Sequence, residues 1–333
     1  MTDLVSILIP CYNAENWLGE TIESALAQTW LRKEVIIVDD GSTDKSLHVA
    51  KQYESKMVKV ISQENQGAAA ARNKAFKHAQ GDYIQWLDAD DLLAPDKMEQ
   101  QLKRIHGGAE HRILLSSSWG KFYYRQEKAQ FTPHHLWADL EPVEWLIIKF
   151  NENVYMNPAA WLVSRKLSDV AGPWNEKLSQ DDDGEYFARV VAASEKITFV
   201  PEAKCYYRKS NPRSLSRDLS RKGCESLYLS LSLCINHLRS LEDSRRTRAA
   251  CLQLLQDNLR SFYPDHTDIL KKTNDLAKEL GGRLSPPVVS WRYGLARRML
   301  GPVRAKKVKR TTAMLRQSIA WNWDKLLYSI SKK

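Results

Sequence analysis

Short apolar runs alternate with longer stretches of helical spacing along the first hundred residues of the chain. The runs rich in β-branched and aromatic residues predict strands at residues 5–9, 34–38, 58–61 and 83–87. Between them, apolar residues at every third or fourth position predict helices at residues 17–28, 42–53 and 68–79. An order of strand, helix, strand and helix is typical of a parallel sheet covered by helices, so we expect an α/β fold.

Polar residues follow each predicted strand at the point where it ends. Because ligands of such sheets lie beyond the carboxyl ends of the strands, these positions are candidate binding residues. They are Pro10-Cys11-Tyr12-Asn13-Ala14-Glu15, Asp39-Asp40-Gly41-Ser42-Thr43-Asp44, Asn65-Gln66-Gly67 with Arg72-Asn73, and Asp88-Ala89-Asp90-Asp91. A helix cap or a tight turn is an equally simple explanation for any single group. Four groups in succession are not explained by capping.

Asp88 and Asp90 follow a run, Tyr83-Ile84-Gln85-Trp86-Leu87, that has the composition of a buried strand. Since they are two residues apart, their side chains project to the same side of an extended chain. Carboxylate oxygens placed in this way are ligands for Mg²⁺ or Mn²⁺, which in turn hold phosphate oxygens. The alternative is that Asp90 or Asp91 caps a helix that begins near Pro95.

The composition favours an enzyme-sized globular protein. With 333 residues, of which 43% are hydrophobic, the chain can form one large core and a second, smaller unit. Its five cysteines are scattered and lack a CxxC spacing, which argues against a disulfide framework or a zinc site. The sequence contains no dinucleotide fingerprint, P-loop or HExxH motif. The start of the sequence lacks the features of a secretory signal, and no run reaches the ~18 apolar residues of a membrane span, so we expect a cytoplasmic protein.

Positive charge is concentrated in the C-terminal tail, residues 281–333. The whole chain has a net charge of +10, and this tail contains thirteen Lys and Arg residues against one acid, Asp324. It also carries Trp291, Trp321 and Trp323. Basic and aromatic residues together are typical of a segment that lies on an anionic membrane surface. The alternative is a solvated basic face of a small helical subdomain. Nucleic acid is not expected as a partner, because no nucleic-acid-binding module is recognisable.

Taken in order, the motifs at the strand ends resemble those of the bacterial family 2 glycosyltransferases. The matching segments are Val5-Ser6-Ile7-Leu8-Ile9-Pro10-Cys11-Tyr12-Asn13, Val38-Asp39-Asp40-Gly41-Ser42-Thr43-Asp44, Asn65-Gln66-Gly67 with Ala71-Arg72-Asn73, and Leu87-Asp88-Ala89-Asp90-Asp91. The resemblance implies a GT-A fold, which is a Rossmann-like, mostly parallel sheet flanked by helices. It also implies a nucleotide-sugar site formed by Pro10, Tyr12, Glu15, Asp39, Asp40, Gly67, Arg72 and Asp88. Asp90, with Asp88, is then expected to hold Mn²⁺ or Mg²⁺ at the donor diphosphate.

A second acidic motif lies in the other half of the chain, where Asp181, Asp182 and Asp183 precede a predicted helix at residues 185–193. It resembles the acceptor-side motif of the family, although the usual Glu-Asp pair is replaced by Asp182-Asp183. The resemblance implies a catalytic base at Asp183 or Asp182, and we favour Asp183. Neighbouring carboxylates repel one another's ionised forms, which raises at least one pKa toward a value suited to a base. The alternative is an acidic cluster that complements the dipole of the helix.

The sequence therefore predicts a GT-A catalytic domain at residues 1–213 and an α-helical C-terminal region at residues 214–333. We expect an inverting, metal-dependent transferase that moves a sugar from a nucleotide-diphosphate sugar, taken as a UDP-sugar, to a hydroxyl of a saccharide or lipid-linked acceptor. Such an enzyme would serve polysaccharide, glycolipid or glycoconjugate synthesis, in the cytoplasm or on the inner face of the plasma membrane. One alternative is a sugar-1-phosphate nucleotidyltransferase, which needs a Gly-rich basic loop after the first strand. The other is a non-catalytic membrane or nucleic-acid adaptor. Residues 119–137 are expected to form a loop that helps to select substrates.

Overall fold

The computed structural model describes residues 3–105, 112–209, 218, 220–286, 318 and 321–330. The strands within these ranges are β1 (Val5–Cys11), β2 (Lys33–Asp40), β3 (Val58–Gln63), β4 (Tyr83–Trp86), β5 (Leu92–Leu93), β6 (Ile113–Phe122), β7 (Gln130–Phe131), β8 (Leu162–Ser164) and β9 (Lys196–Arg208). The helices are α1 (Leu18–Leu26), α2 (Ser46–Gln52), α3 (Ala68–His78), α4 (Lys97–Leu102), α5 (Pro142–Glu152), α6 (Arg165–Ala171), α7 (Asp182–Ala193), α8 (Arg221–Leu241), α9 (Arg245–Phe262) and α10 (Thr267–Glu279). Residues 321–330 are also helical and are called the C-terminal helix below.

All the strands of the described residues belong to one mixed sheet. Its order is β3-β2-β1-β4-β8-β6-β9-β5, and β7 pairs with β6. Strands β1 to β4 are parallel to one another, β8 is antiparallel to both β4 and β6, and β6 is parallel to β9. Consequently β6 and β9 run in the same direction as β1 to β4. The carboxyl ends of all six strands therefore meet at one edge of the sheet.

The four strands and three helices that the sequence predicts for the first hundred residues are confirmed, with ends displaced by a few residues. The prediction of a loop at residues 119–137 is wrong in part, because β6 continues to Phe122 and β7 lies within that range. The apolar run of β6 is interrupted by Ser116, Ser117 and Ser118, which have the composition of a turn. All three serines are nevertheless buried in the sheet.

Helices α8 and α9 pack against the α/β part of the chain, α10 packs against α8 and α9, and all three share one hydrophobic core with that part. Leu231 and Leu238 of α8 and Leu255 of α9 are buried in the same cluster as Ile9 of β1. The predicted boundary near residue 213 lies outside the described residues, so the division into two domains stays a prediction. None of the helices in the described ranges is both long and apolar enough to cross a bilayer.

Candidate active site

A cleft of about 1780 Å³ opens at the edge where the parallel strands end. Most of the predicted site residues line it, namely Pro10, Tyr12, Asp40, Gly67, Arg72, Asp88, Asp90, Asp182 and Asp183. We call the part formed by residues 10–90 the sheet-edge wall, and the part formed by Asp181, Asp182 and Asp183 the acidic wall. Residues from both halves of the sequence therefore face the same space.

In the sheet-edge wall, the end of β2 fastens the loop between β3 and α3. The Asp40 carboxylate accepts hydrogen bonds from Gln63 Nε2 (2.7 Å), Gln66 N (2.9 Å) and Gly67 N (2.8 Å). Gly67 has a φ of 96°, a conformation that favours glycine, and α3 begins directly after it. This loop brings Arg72 of α3 into the cleft. Asp40 thus builds the wall, and its contact with a nucleotide stays a prediction.

Asp39 and Glu15 do not line the cleft. Asp39 is buried next to Cys11, its partner in the β1 and β2 register, and its Oδ2 accepts a hydrogen bond from Ser42 N (3.2 Å). Its Oδ1 has no hydrogen-bond partner among the residues that the structure describes. Glu15 is exposed, and its Oε2 accepts a hydrogen bond from Lys45 N (2.9 Å). The structure therefore gives Glu15 a role in fixing the start of α2.

Asp88 and Asp90 lie on a turn after β4, and both line the cleft. The next residue, Asp91, is buried and accepts hydrogen bonds from Asn157 Nδ2 (2.8 Å) and Arg208 N (2.9 Å). Helix α4 begins only at Lys97 and has no side-chain cap. The alternative that Asp90 or Asp91 caps this helix is therefore wrong. Asp91 instead anchors the turn that carries Asp88 and Asp90.

Arg72 joins the two walls of the cleft. Its Nη2 lies 2.8 Å from Asp88 Oδ1, and its Nη1 lies 2.7 Å from Asp182 Oδ2. The guanidinium also stacks 4.3 Å from the ring centre of Trp174. Although burial acts to lower it, the two carboxylates hold the pKa of Arg72 above its usual value. Arg72 is therefore a permanent cation between two acidic groups.

The acidic wall is held in place by α8. Ser230 Oγ donates a hydrogen bond to Asp181 Oδ2 (2.6 Å), and Ser226 Oγ accepts hydrogen bonds from Ser179 N and Gln180 N (2.9 Å each). Asp181 itself has a φ of 57°, which an L-residue rarely adopts. These contacts from the helical C-terminal region fix the turn that leads into α7.

Asp183 is a carboxyl of this wall whose pKa is raised. Burial, followed by the charges of Asp182 and Asp181, raises its pKa to about 7. Asp182 is engaged by Arg72, whereas Asp183 Oδ1 accepts only a hydrogen bond from Gly184 N (2.9 Å) among the contacts described. Because α7 begins at Asp182, the cluster also lies in the first turn of a helix. The base and the helix-end interpretations therefore both remain, and the role of Asp183 is a proposal below.

Comparison with known proteins identifies the family of the sheet-edge wall. The model of Glycosyl transferase family 2 matches residues 6–168. Residues 6–168 belong to glycosyltransferase family 2. This family 2 domain extends from β1 into α6 and includes the whole sheet-edge wall. Asp182 and Asp183 lie beyond it.

Relatives and solved structures agree with this assignment. An uncharacterized glycosyltransferase of Haemophilus influenzae is 49% identical over 102 residues, which are 30% of this chain and only 41% of that relative. The structure of S. aureus TarS 1–349 in complex with UDP-GlcNAc has a TM-score of 0.67 at 18% identity, and covers 95% of this chain and 92% of that chain. The mannosyltransferase PcManGT from Pyrobaculum calidifontis, in complex with GDP-Man and Mn²⁺, has a TM-score of 0.56 at 16% identity, and covers 98% and 88%. These likenesses establish a GT-A-like fold for the chain that carries the family 2 domain.

Other cleft residues of the family 2 domain and its extensions were not predicted from the sequence. Lys121 at the end of β6 lies 4.9 Å and 5.5 Å from the ring centres of Trp119 and Tyr155, and Tyr207 lies at the end of β9. The same rule that selects strand ends would have found them once β6 and β9 were recognised. The C-terminal helix also contributes to the lining, through Trp321, Lys325 and Tyr328.

Asp88 and Asp90 fit a divalent cation whose remaining ligands come from the substrate. Among the described residues, no group of three or more His, Cys, Asp or Glu side chains is arranged to hold a metal ion by itself. Asp88 and Asp90 nevertheless supply hard oxygen donors to the same cleft. Mg²⁺ is commonly bound by one or two carboxylates together with substrate phosphates. A site completed by diphosphate oxygens is therefore compatible with these two residues.

Proposed function

We propose that this chain is an inverting glycosyltransferase that moves a sugar from a nucleotide-diphosphate sugar, most simply a UDP-sugar, to the hydroxyl of a saccharide or lipid-linked acceptor. The observation that carries the proposal is the Arg72 bridge, which holds Asp88 and Asp182 on opposite walls of one cleft. A single-displacement transfer needs a leaving-group site and a base that face one reacting carbon. The neighbours that bind UDP-GlcNAc and GDP-Man support a nucleotide-sugar donor.

The donor nucleotide is proposed to lie along the sheet-edge wall, between Pro10, Tyr12 and the end of β2. Tyr12 is 51% exposed at the cleft and presents an aromatic face on which a nucleobase can stack. Asp39 does not line the cleft, so a contact between its unpartnered Oδ1 and the nucleobase stays a prediction. Asp88 and Asp90 would hold Mn²⁺ or Mg²⁺ at the diphosphate, where the cation supplies positive charge to the leaving group. The Mn²⁺ of PcManGT supports this use.

In the proposed reaction, Asp183 accepts the proton of the acceptor hydroxyl. The hydroxyl oxygen forms a bond to the anomeric carbon from the face opposite the diphosphate, and the bond from that carbon to the phosphate oxygen breaks. The nucleoside diphosphate leaves with the electron pair of that bond. Attack from the opposite face inverts the anomeric centre, so an α-linked donor gives a β-glycoside. A pKa of about 7 suits Asp183 to this step, because a base works best near the operating pH.

A donor panel tests the proposal. UDP-, GDP- and dTDP-sugars are incubated with the full chain and Mn²⁺, Mg²⁺ or EDTA, and release of nucleoside diphosphate is measured. Release that requires the cation and is lost in Asp183→Asn is expected. Release of pyrophosphate from a nucleoside triphosphate and a sugar 1-phosphate would favour a nucleotidyltransferase instead. Absence of both reactions and of nucleotide binding would favour the adaptor.

We also propose that the chain attaches to anionic membrane through its C-terminal tail. The outward face of the C-terminal helix supports this, since Trp323, Leu326 and Ile330 are 63%, 50% and 61% exposed. They recur at helical spacing and form an apolar face, as in a helix that lies in a headgroup region. Most of the basic tail lies outside the described residues. Because the C-terminal helix also lines the cleft, the test uses Leu326→Glu rather than a truncation. Co-sedimentation with anionic vesicles should fall for this variant, and equal pelleting would contradict the proposal.

A further inference from the structure

The C-terminal helix is attached to the family 2 domain by a half-buried acid, Asp324. Asp324 Oδ2 accepts hydrogen bonds from Tyr124 N (2.9 Å) and Arg125 N (3.2 Å), and Asp324 Oδ1 accepts one from Arg125 Nε (2.8 Å). These backbone and side-chain contacts lower the pKa of Asp324 against the effect of burial. The ring of Tyr124 lies 5.2 Å from that of Trp321 and 5.7 Å from that of Tyr328. The inward face of the helix is therefore packed at the margin of the cleft.

A second contact links this helix to the turn that carries Asp88 and Asp90. Tyr328 Oη donates a hydrogen bond to Glu20 Oε1 (3.1 Å), and Arg208 Nη2 lies 2.6 Å from Glu20 Oε2. The Arg208 side chain is fully buried, and its Nε donates a hydrogen bond to Asp90 O (2.9 Å). Its backbone N also binds Asp91 Oδ1. The Glu20 carboxylate thus contacts both the C-terminal helix, through Tyr328, and Arg208, which holds the turn.

Loss of the Glu20 contacts would destabilise the buried side chain of Arg208. A buried guanidinium needs a carboxylate partner, because an uncompensated buried charge is strongly destabilising. Glu20 is the carboxylate paired with it among the described residues. Its position is in turn shared with Tyr328, which reaches it from 308 residues further along the chain. A shift of the C-terminal helix therefore changes the support of Arg208 and of the Asp90 backbone.

We propose that the C-terminal helix is a wall of the donor site, and that Glu20, Arg208 and Tyr328 are positioning residues that transmit its placement to the turn at Asp88 to Asp91. The inference rests on the proposed function for the identity of the donor. Its structural part, the coupling of helix and turn, does not depend on that identity. Lys325 adds a cation to the same wall, since it lines the cleft and forms no ion pair within the described part of the chain.

The test uses Tyr328→Phe, which removes the hydroxyl that binds Glu20 and retains the ring against Tyr124. Asn322→Ala, an exposed position on the same helix, is the matched control. The first readout is hydrogen exchange of the Asp91 amide, which donates to Asp88 O, in the absence of any nucleotide. The second is the affinity for UDP and GDP with Mn²⁺, measured by calorimetry on the full chain.

For Tyr328→Phe, exchange at Asp91 is expected to become faster and the affinity for the bound nucleotide to fall about threefold to tenfold, the scale of one hydrogen bond. Asn322→Ala should match the wild type in both readouts. In a double-mutant cycle with Glu20→Gln, the two losses should not add, because both act through one carboxylate. Unchanged exchange and affinity in Tyr328→Phe, or fully additive losses, would overturn the inference. If the wild type binds neither nucleotide but exchange at Asp91 still responds, the coupling stands and the proposed function fails.

Discussion

The sheet-edge wall and the acidic wall face the same cleft but are built in different ways. Asp40, Gly67 and Asp88 come from consecutive strand ends of a parallel sheet, and the bonds that hold them connect neighbouring loops. Asp181 is held instead by Ser230, a residue of the helical C-terminal region. The first wall lies inside the family 2 domain, and the second lies outside it. One wall is thus a product of sheet topology, whereas the other depends on helix packing.

Because the two walls are held by different contacts, we expect that substitutions can alter one wall without altering the other. A change in the sheet-edge wall is expected to alter the binding of the donor, because that wall carries the proposed nucleotide and metal contacts. A change in the acidic wall is expected to alter turnover with little effect on donor affinity. Arg72 contacts both walls and is the exception.

The largest effect is expected for Asp183→Asn in the acidic wall. Loss of the proposed base should lower kcat by at least ~10²-fold, the usual scale of a general base, with donor affinity unchanged. Steady-state kinetics and calorimetry measure the two quantities. Asp182→Asn is the matched variant, since its carboxylate is paired with Arg72. If Asp182→Asn shows the kinetic loss and Asp183→Asn does not, the base is Asp182.

The next effect concerns Asp90→Asn in the sheet-edge wall. The substitution keeps the shape of the side chain and removes its charge, so the affinity for nucleoside diphosphate with Mn²⁺ should fall by at least ~10-fold, as seen even for residues that only support metal ligands. Affinity without the cation should change little. Thermal unfolding should stay close to that of the wild type, which separates a lost ligand from a damaged fold. If Asp90→Asn binds nucleoside diphosphate with Mn²⁺ as tightly as the wild type does, Asp90 is not a metal ligand.

A smaller effect is expected for Ser230→Ala, which tests whether α8 supports the acidic wall. Loss of the hydrogen bond to Asp181 should lower kcat by about threefold to tenfold and leave donor affinity unchanged. Ser232→Ala is the matched control, because the Ser232 hydroxyl binds Tyr228 O within the same helix. A loss of donor affinity equal to the loss of kcat would show that the two walls are not separable in this way.

The last effect is a gain of stability in Asp183→Asn, which is measured on unfolding and not on turnover. A carboxyl whose pKa rises on folding, here from 3.8 to about 7, takes up a proton, so the wild type loses stability as the pH rises between these values. Above pH 7 the variant should be more stable by about 1–2 kcal/mol, less than the full shift implies because the side chain is partly exposed. The difference should vanish near pH 4. Urea unfolding at several pH values measures it, and a constant difference would exclude titration as its cause.

Much of the sheet-edge wall could be predicted from the sequence, because its structure is local. Strands β1, β2 and β4 are mostly apolar runs that are buried on both faces, and the residues after them are fixed by the direction of the chain. Asp88 and Asp90 follow from this rule. The orientation of their side chains does not follow from this rule. It depends on the turn that Asp91 anchors to Arg208 of β9, a strand that is distant in sequence.

The acidic wall and the C-terminal helix were harder to predict, because their placement is set by long-range contacts. The sequence showed three acids before a helix, but it did not show that Ser230 binds the first of them. In the tail, the mixture of basic and aromatic residues indicated a membrane surface. The inward-facing Asp324 and Tyr328 lie in the same mixture, and a composition does not distinguish the two faces of a helix.

The guanidinium of Arg72 has a consequence for the distance between the two walls of the cleft. It is a rigid plane, and its two terminal nitrogens each bind one wall of the cleft. The distance between the Asp88 and Asp182 carboxylates is therefore set by the covalent geometry of the guanidinium that binds both. Lysine has one point charge and cannot span the same gap. Because the guanidinium itself occupies this space, the two walls cannot approach each other there, and a substrate must lie beside Arg72 rather than between the two carboxylates.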